Sequence, residues 1–150
     1  MTHRPTTSAA IRWMLACACS ASAWPLLGHA ATPLPCDSPV LLDTPVLYGR
    51  WQATFPLRPD LPSVTLALAP HTEWQGTVQG SATYGTQVAR MVGDVDAGAV
   101  TLEESFDGTR IRATWLGTVE PDSCGARITG ERLDDDDADG TAFILRKTHP

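Results

Sequence analysis

The chain has 150 residues, 43% of them hydrophobic, with 17 acidic against 11 basic side chains and four cysteines. That is room for one ordinary domain, and a net charge of −6 excludes the basic face with which proteins release counterions from nucleic acid. The same sign disfavours docking on anionic lipid.

Met1 to Ala30 read as a signal peptide. Arg4 and Arg12 come with no acid, Trp13 to Leu27 carry no charge, and Gly28-His29-Ala30 puts small residues at the two positions a signal peptidase reads. Cleavage before Ala31 is the first choice, and cleavage after Ala23 the fallback. An uncharged stretch of about 15 residues, broken by Pro25, falls short of the ~20 that a spanning helix needs. Lipid attachment at Cys17 is the weaker alternative, because almost no apolar segment would precede the cysteine. The expected product is exported, to the periplasm or the outside medium, with no membrane span.

Export changes the inventory. Two of the eleven cations leave with residues 1–30 and no acid does, so nine face seventeen and the net charge becomes −8. Only His71 and His149 remain, and only Cys36 and Cys124. In an oxidising compartment two cysteines far apart in sequence read as a disulfide. With so little histidine, neither a nucleophilic triad nor a His-rich metal site is expected. No catalytic residue, cofactor or metal is assigned, and the chain is expected not to be an enzyme.

Residues 31–45 contain Pro33, Pro35, Pro39 and Pro45, which neither a helix interior nor a central strand accepts. This segment is expected to be an extended lead-in pinned at Cys36, followed by a single β domain over 46–150. From Val46 the apolar pattern has period two: Leu47, Trp51, Ala53 and Phe55 share one face, as do Val64, Leu66 and Leu68. Trp74 to Tyr84 predicts a third strand, with Trp74, Gly76, Val78, Gly80, Ala82 and Tyr84 on its apolar side. Gln87 to Val95, Ala99 to Phe106, Arg110 to Val119, Ala126 to Leu133 and Thr141 to Lys147 complete eight strands. Asp-Ala-Gly, Asp-Gly and similar turn residues join several of them. An all-β antiparallel meander follows, and an eight-stranded up-and-down barrel of the lipocalin or avidin kind is favoured over a sandwich because closure removes exposed edges.

Glu104 is anomalous: it falls on the apolar face of its strand, with Val100, Leu102 and Phe106. A carboxylate there needs a partner or water, and the readings are a polar anchor in the lumen, a general acid working with Asp94, or a residue paired with an arginine such as Arg90. Trp51, Trp74, Trp115 and Tyr84, with Glu104, form the candidate lumen or ligand-lining set, and an apolar small molecule is the candidate ligand. Asp134, Asp135, Asp136, Asp137 and Asp139 form an acidic tip before Gly140. From Asp135 it matches the first half of a calcium loop, but Arg146 stands where the bidentate acid belongs, so it is read as a solvated hairpin tip and candidate partner contact.

Gly80-Ser81-Ala82-Thr83-Tyr84 resembles the Ser-Gly-x-x-Tyr loop of periplasmic lysozyme inhibitors with its first two residues exchanged. That family's second motif, Tyr-x-x-x-Thr-Lys-Gly, is absent. The tryptophan-bearing strands are similar in style to avidin-type barrels, without a biotin-contacting set. No family is assigned on these grounds. The functional expectation is a non-enzymatic exported barrel that binds another protein, with a basic protein as the candidate partner, as an inhibitor or immunity-type factor would. A small-ligand carrier is the alternative, and a carboxylate hydrolase the third reading.

Overall fold

Period-two alternation builds eight antiparallel strands that close on themselves. The computed structural model describes residues 36, 39–135 and 139–149. The strands are β1 (Gly49–Thr54), β2 (Val64–Pro70), β3 (Val78–Tyr84), β4 (Gln87–Asp96), β5 (Ala99–Ser105), β6 (Ala113–Val119), β7 (Arg127–Asp134) and β8 (Thr141–His149). Each pairs with its sequence neighbours, and β8 pairs back onto β1 through Trp51 opposite Lys147 and Ala53 opposite Leu145. The result is the closed up-and-down barrel that the turn spacing implies. The signal-peptide reading of residues 1–30 lies outside the described residues.

The pleat sends apolar side chains inward. Trp51, Leu66, Met91, Leu102, Trp115, Ile128, Phe143 and Leu145 are all buried in one continuous cluster, as expected where eight strands leave an interior just wide enough for side chains. Outward positions such as Arg50, Gln52, Thr65, Arg90, Asp94, Glu103 and Arg146 are exposed. This apolar-in, polar-out order is the reverse of a membrane-spanning barrel. Among the described residues no helix is long and apolar enough to cross a membrane.

The lead-in departs from the extended expectation. Pro39–Leu42 and Thr44–Leu47 are short 3-10 helices, because Pro45 presets a helical φ near the start of the second turn and the Asp43 carboxylate accepts the Thr44 N–H. These turns close one end of the barrel. Leu41, Val46 and Leu47 are buried, the Thr44 hydroxyl donates to the Gly76 carbonyl, and Gly98 N–H donates to Leu42 O. A disulfide between Cys36 and Cys124 ties the start of the lead-in to the β6–β7 connection. Cys124 and Gly125, both at positive φ, reverse the chain there.

At the closed end Trp51 is locked. Its Nε1–H donates to Leu47 O at 2.8 Å, the Lys147 ammonium lies 4.9 Å from its ring centroid, and the same ammonium donates to Val46 O at 2.7 Å. Burial lowers the Lys147 pKa from its ordinary value. The opposite end, termed the open end because the lead-in does not cover it, is formed by the β1–β2, β3–β4, β5–β6 and β7–β8 connections, and Phe55 and Leu61 of the first of these pack against the core.

Candidate functional site

Glu104 sits just inside the open end. Its side chain is wholly buried, yet four donors converge on its two oxygens. Tyr84 Oη–H and Trp115 Nε1–H donate to Oε2 at 2.6 and 2.8 Å. Arg132 adds Nε–H to Oε2 at 3.3 Å and a terminal N–H to Oε1 at 3.2 Å. A carboxylate only accepts, so this set meets its needs. The alternation of four strands places the partners: Tyr84 on β3, Glu104 on β5, Trp115 on β6 and Arg132 on β7 all point inward, and the register sets Trp115 directly opposite Arg132.

The network continues outward. A second Arg132 guanidinium nitrogen donates to Asp134, which also lies 3.9 Å from Arg112. The Arg132 plane lies 5.6 Å from the Trp115 ring centroid and 6.0 Å from that of Tyr84. Burial works against the Arg132 charge, but Glu104, Tyr84 and Asp134 overcome it and hold the pKa above its ordinary value. Burial and then the bond to Glu104 push the Tyr84 hydroxyl well above the usual range, so it remains a donor.

Above this floor lies a cavity of about 270 Å³ bounded by Phe55, Arg58, Leu61, Tyr84, Arg132 and Asp134. Its arginines are already engaged: Arg132 by Glu104 and Asp134, Arg58 by Asp60 at 2.8 Å. The mouth therefore offers little uncommitted charge to a ligand.

The sequence-derived set divides. Trp51, Trp115, Tyr84 and Glu104 do face the lumen, although Trp51 serves the closed end and the other three the open end. Trp74 does not: it is 57% exposed and belongs to the β2–β3 connection, since β3 begins only at Val78. The apolar alternation runs through this segment unbroken, but Gly76 at φ +75° ends the turn that precedes the strand. His71 Nδ1 accepts the N–H groups of Glu73 and Trp74, which holds the indole outside.

Two further expectations are corrected. The arginine that pairs with Glu104 is Arg132, not Arg90. Arg90 is exposed on the outer wall because Ala89 and Met91 take the inward positions of β4. Asp94 also faces outward, so it stands across the sheet from Glu104 and the two do not form an acid–base pair. Of the acidic tip, Asp134 is tied to Arg132 and Arg112, and Asp135 lies 3.9 Å from Arg110. Asp139 is exposed. Asp136 and Asp137 lie outside the described residues.

The apolar rim was not foreseen, and Phe106, expected on the inward face with Val100, Leu102 and Glu104, is exposed because β5 ends at Ser105. Leu57, Val88, Phe106 and Ile111 are 46–78% exposed, and all four belong to connections or strand ends at the open end. The available signal was position: each stands at or beside a turn between strands. No protein-family model, curated protein or solved structure matches this chain.

Proposed function

We propose that this chain is an exported, non-enzymatic barrel that binds another protein through its open end. The observation that carries the reading is the asymmetry of the two ends. One is covered by the lead-in and its disulfide and exposes Leu42 and Trp74, while the connections and strand ends of the other expose Leu57, Val88, Phe106 and Ile111. Single exposed apolar side chains are ordinary, but four at one end of a small barrel favour an interaction surface there.

Three further points favour protein over small molecule or substrate. The lumen is filled by side chains. The mouth cavity, about 270 Å³, is below the roughly 300–1,000 Å³ typical of ligand pockets. Every oxygen of Glu104 already accepts hydrogen bonds, so the carboxyl is spent on the fold rather than held ready for acid–base chemistry. The disulfide favours an oxidising compartment. The net charge of the exported chain favours a basic partner, drawn in by the acids of the β7–β8 tip while the apolar rim supplies adhesion.

The test is a photoactivatable phenylalanine analogue placed at Phe106 and, separately, at Leu116, which is exposed on the outer wall away from the rim. A discrete protein adduct is expected from position 106 in producing cells, absent from position 116, and lost in a Leu57→Ser/Val88→Ser background. Equal adducts from both positions, or none from either, would sink the proposal.

A further inference from the structure

A second concavity lies outside the lumen. It is a groove of about 1030 Å³ on the outer wall over β1 to β5, running from Trp74 at the closed end to the β5–β6 loop at the open end. Its lining is electrostatically opposite to the protein as a whole. Arg50, Arg90 and Arg110 border it, and Glu103 is its one acid. In a chain with this acidic balance, a third of the nine cations after residue 30 meet in one groove.

Those arginines are uncommitted. Among the described residues the side chains of Arg50 and Arg90 have no hydrogen-bond or ion-pair partner, and Arg110 reaches only Asp135, at 3.9 Å. The strand register sets them on one line across the wall: Arg50, Ala67, Ser81 and Arg90 stand side by side on β1, β2, β3 and β4. Three strand spacings put the two arginines about 14 Å apart, with only small side chains between. Gly80 lies beneath this floor. An added Cβ there would collide with the Ala67 carbonyl oxygen, so the close approach of β2 to β3 that shapes the groove requires glycine.

At one end Trp74 and His71 form a built platform. Their rings stack at 4.3 Å with 12° between planes, His71 is fixed by two backbone N–H groups, and the indole is 57% exposed. An exposed aromatic face carries the negative quadrupole that polarised C–H groups seek.

We infer that this groove binds an anionic oligosaccharide, with Arg50 and Arg90 meeting acidic groups along the chain and a sugar ring lying on Trp74. A sugar is favoured over an acidic peptide by the closed barrel. The strands under the groove have their N–H and C=O groups in ladders, so a peptide backbone laid there finds no edge to pair with. Sugar hydroxyls bond side chains instead, and Gln79, Ser105 and Thr109 border the same groove. The groove touches the open end at Ile111 of the β5–β6 connection, which the protein-binding reading also uses, but Arg50 and Trp74 lie toward the other end, so variants at those two residues test this site separately from that reading.

Calorimetry on the purified protein with hexagalacturonate, neutral cellohexaose and hexaglutamate peptide tests it. Hexagalacturonate is expected to bind with an affinity that falls as salt rises, and cellohexaose and hexaglutamate at least about tenfold more weakly, the scale of one 1.4 kcal/mol difference. Arg50→Ala and Arg90→Ala should each cost about threefold, the scale of an exposed ion pair, and Trp74→Ala up to about tenfold. Arg146→Ala, exposed on the wall outside the groove, should change nothing. All four side chains are exposed, so unchanged thermal melts are expected to accompany these losses. Absence of heat with hexagalacturonate at about millimolar concentration overturns the inference. So does equal binding of hexaglutamate, or a loss in Arg146→Ala matching that in Arg90→Ala.

Discussion

Removing Arg132 from the buried Glu104–Arg132 pair should cost far more than loss of a surface pair, and the costs of changing the two partners should not add. Glu104 is wholly buried and Arg132 is 13% exposed, so solvent screening gives little relief. Arg132→Met leaves the carboxylate in the lumen with only Tyr84 and Trp115 as donors, and loss of one partner from a buried pair costs about 3–5 kcal/mol. Against a typical domain stability of about 5–15 kcal/mol, that is about a fifth of the total or more. Glu104→Gln is milder. The amide oxygen can still accept from Tyr84 and Trp115, while its NH₂ meets the Arg132 donor, so the loss is about 1–3 kcal/mol, the scale of one imperfectly satisfied polar group. In the double variant the Gln oxygen keeps both neutral donors and no charge is stranded, so the two costs should fall short of additivity by about 2 kcal/mol. Urea unfolding with the disulfide intact, followed by tryptophan fluorescence, reads all four states of the cycle, since Trp115 is itself in the network. An Arg132→Met cost below about 1 kcal/mol, the scale of a surface pair, or an additive double variant, would refute the reasoning.

Three other outcomes are expected. Replacing Cys36 and Cys124 with serine opens a loop closed over 88 residues, for which the chain-entropy model gives about 4–5 kcal/mol; equal urea midpoints for the variant and the parent would contradict it. Gly117→Ala should destabilise by about 1–3 kcal/mol through overpacking, because the new methyl would stand 2.9 Å from Ile128 Cγ2 and 3.1 Å from Phe143 Cζ; the melting temperature checks this. Asp107 is held well below the usual carboxylate range by the N–H groups of Arg110 and Thr109 in the β5–β6 loop. Its folded pKa is the depressed one, so its contribution is full above the ordinary carboxyl pKa of about 3.9 and fades as pH falls toward the depressed value. Asp107→Ala should therefore melt below the parent at pH 6 and approach it near pH 2, and a gap that widens in acid would be the wrong sign.

Much of the barrel was legible because period two is a local property. Trp51, Ala53, Val64, Leu66, Val100, Leu102 and Glu104 were placed inward by alternation alone, and all are buried. What failed depended on events that alternation does not register. The run from Trp74 to Tyr84 keeps its rhythm through a turn, so Trp74 looked like core although Gly76 takes a positive φ before the strand begins. The 3-10 turns of the lead-in needed the barrel end to pack against. Arg132 was missed as the partner of Glu104 because that pairing is set by register across β5, β6 and β7, which local sequence does not encode. Arg90 was a different case. With Ala89 and Met91 on either side, the alternation of its own strand already placed it outside.

The two ends of the barrel turn out to be secured by the same device used twice. At the closed end Lys147 on β8 covers Trp51 on β1; at the open end Arg132 on β7 covers Trp115 on β6. Each tryptophan spends its N–H inside, on Leu47 O and on Glu104. Each pair spans neighbouring strands, so a register slip of one residue would turn the cation to the outer face and deprive the Val46 carbonyl or the Glu104 carboxylate of its charged donor. The penalty for such a slip is then a stranded polar group rather than a mere loss of packing, which is larger and more specific. With register guarded from within at both ends, the outer wall and the open-end loops are released from that duty. It is on those surfaces that the uncommitted arginines and the exposed apolar side chains are found, and it is there, not in the conspicuous buried carboxylate, that binding should be sought.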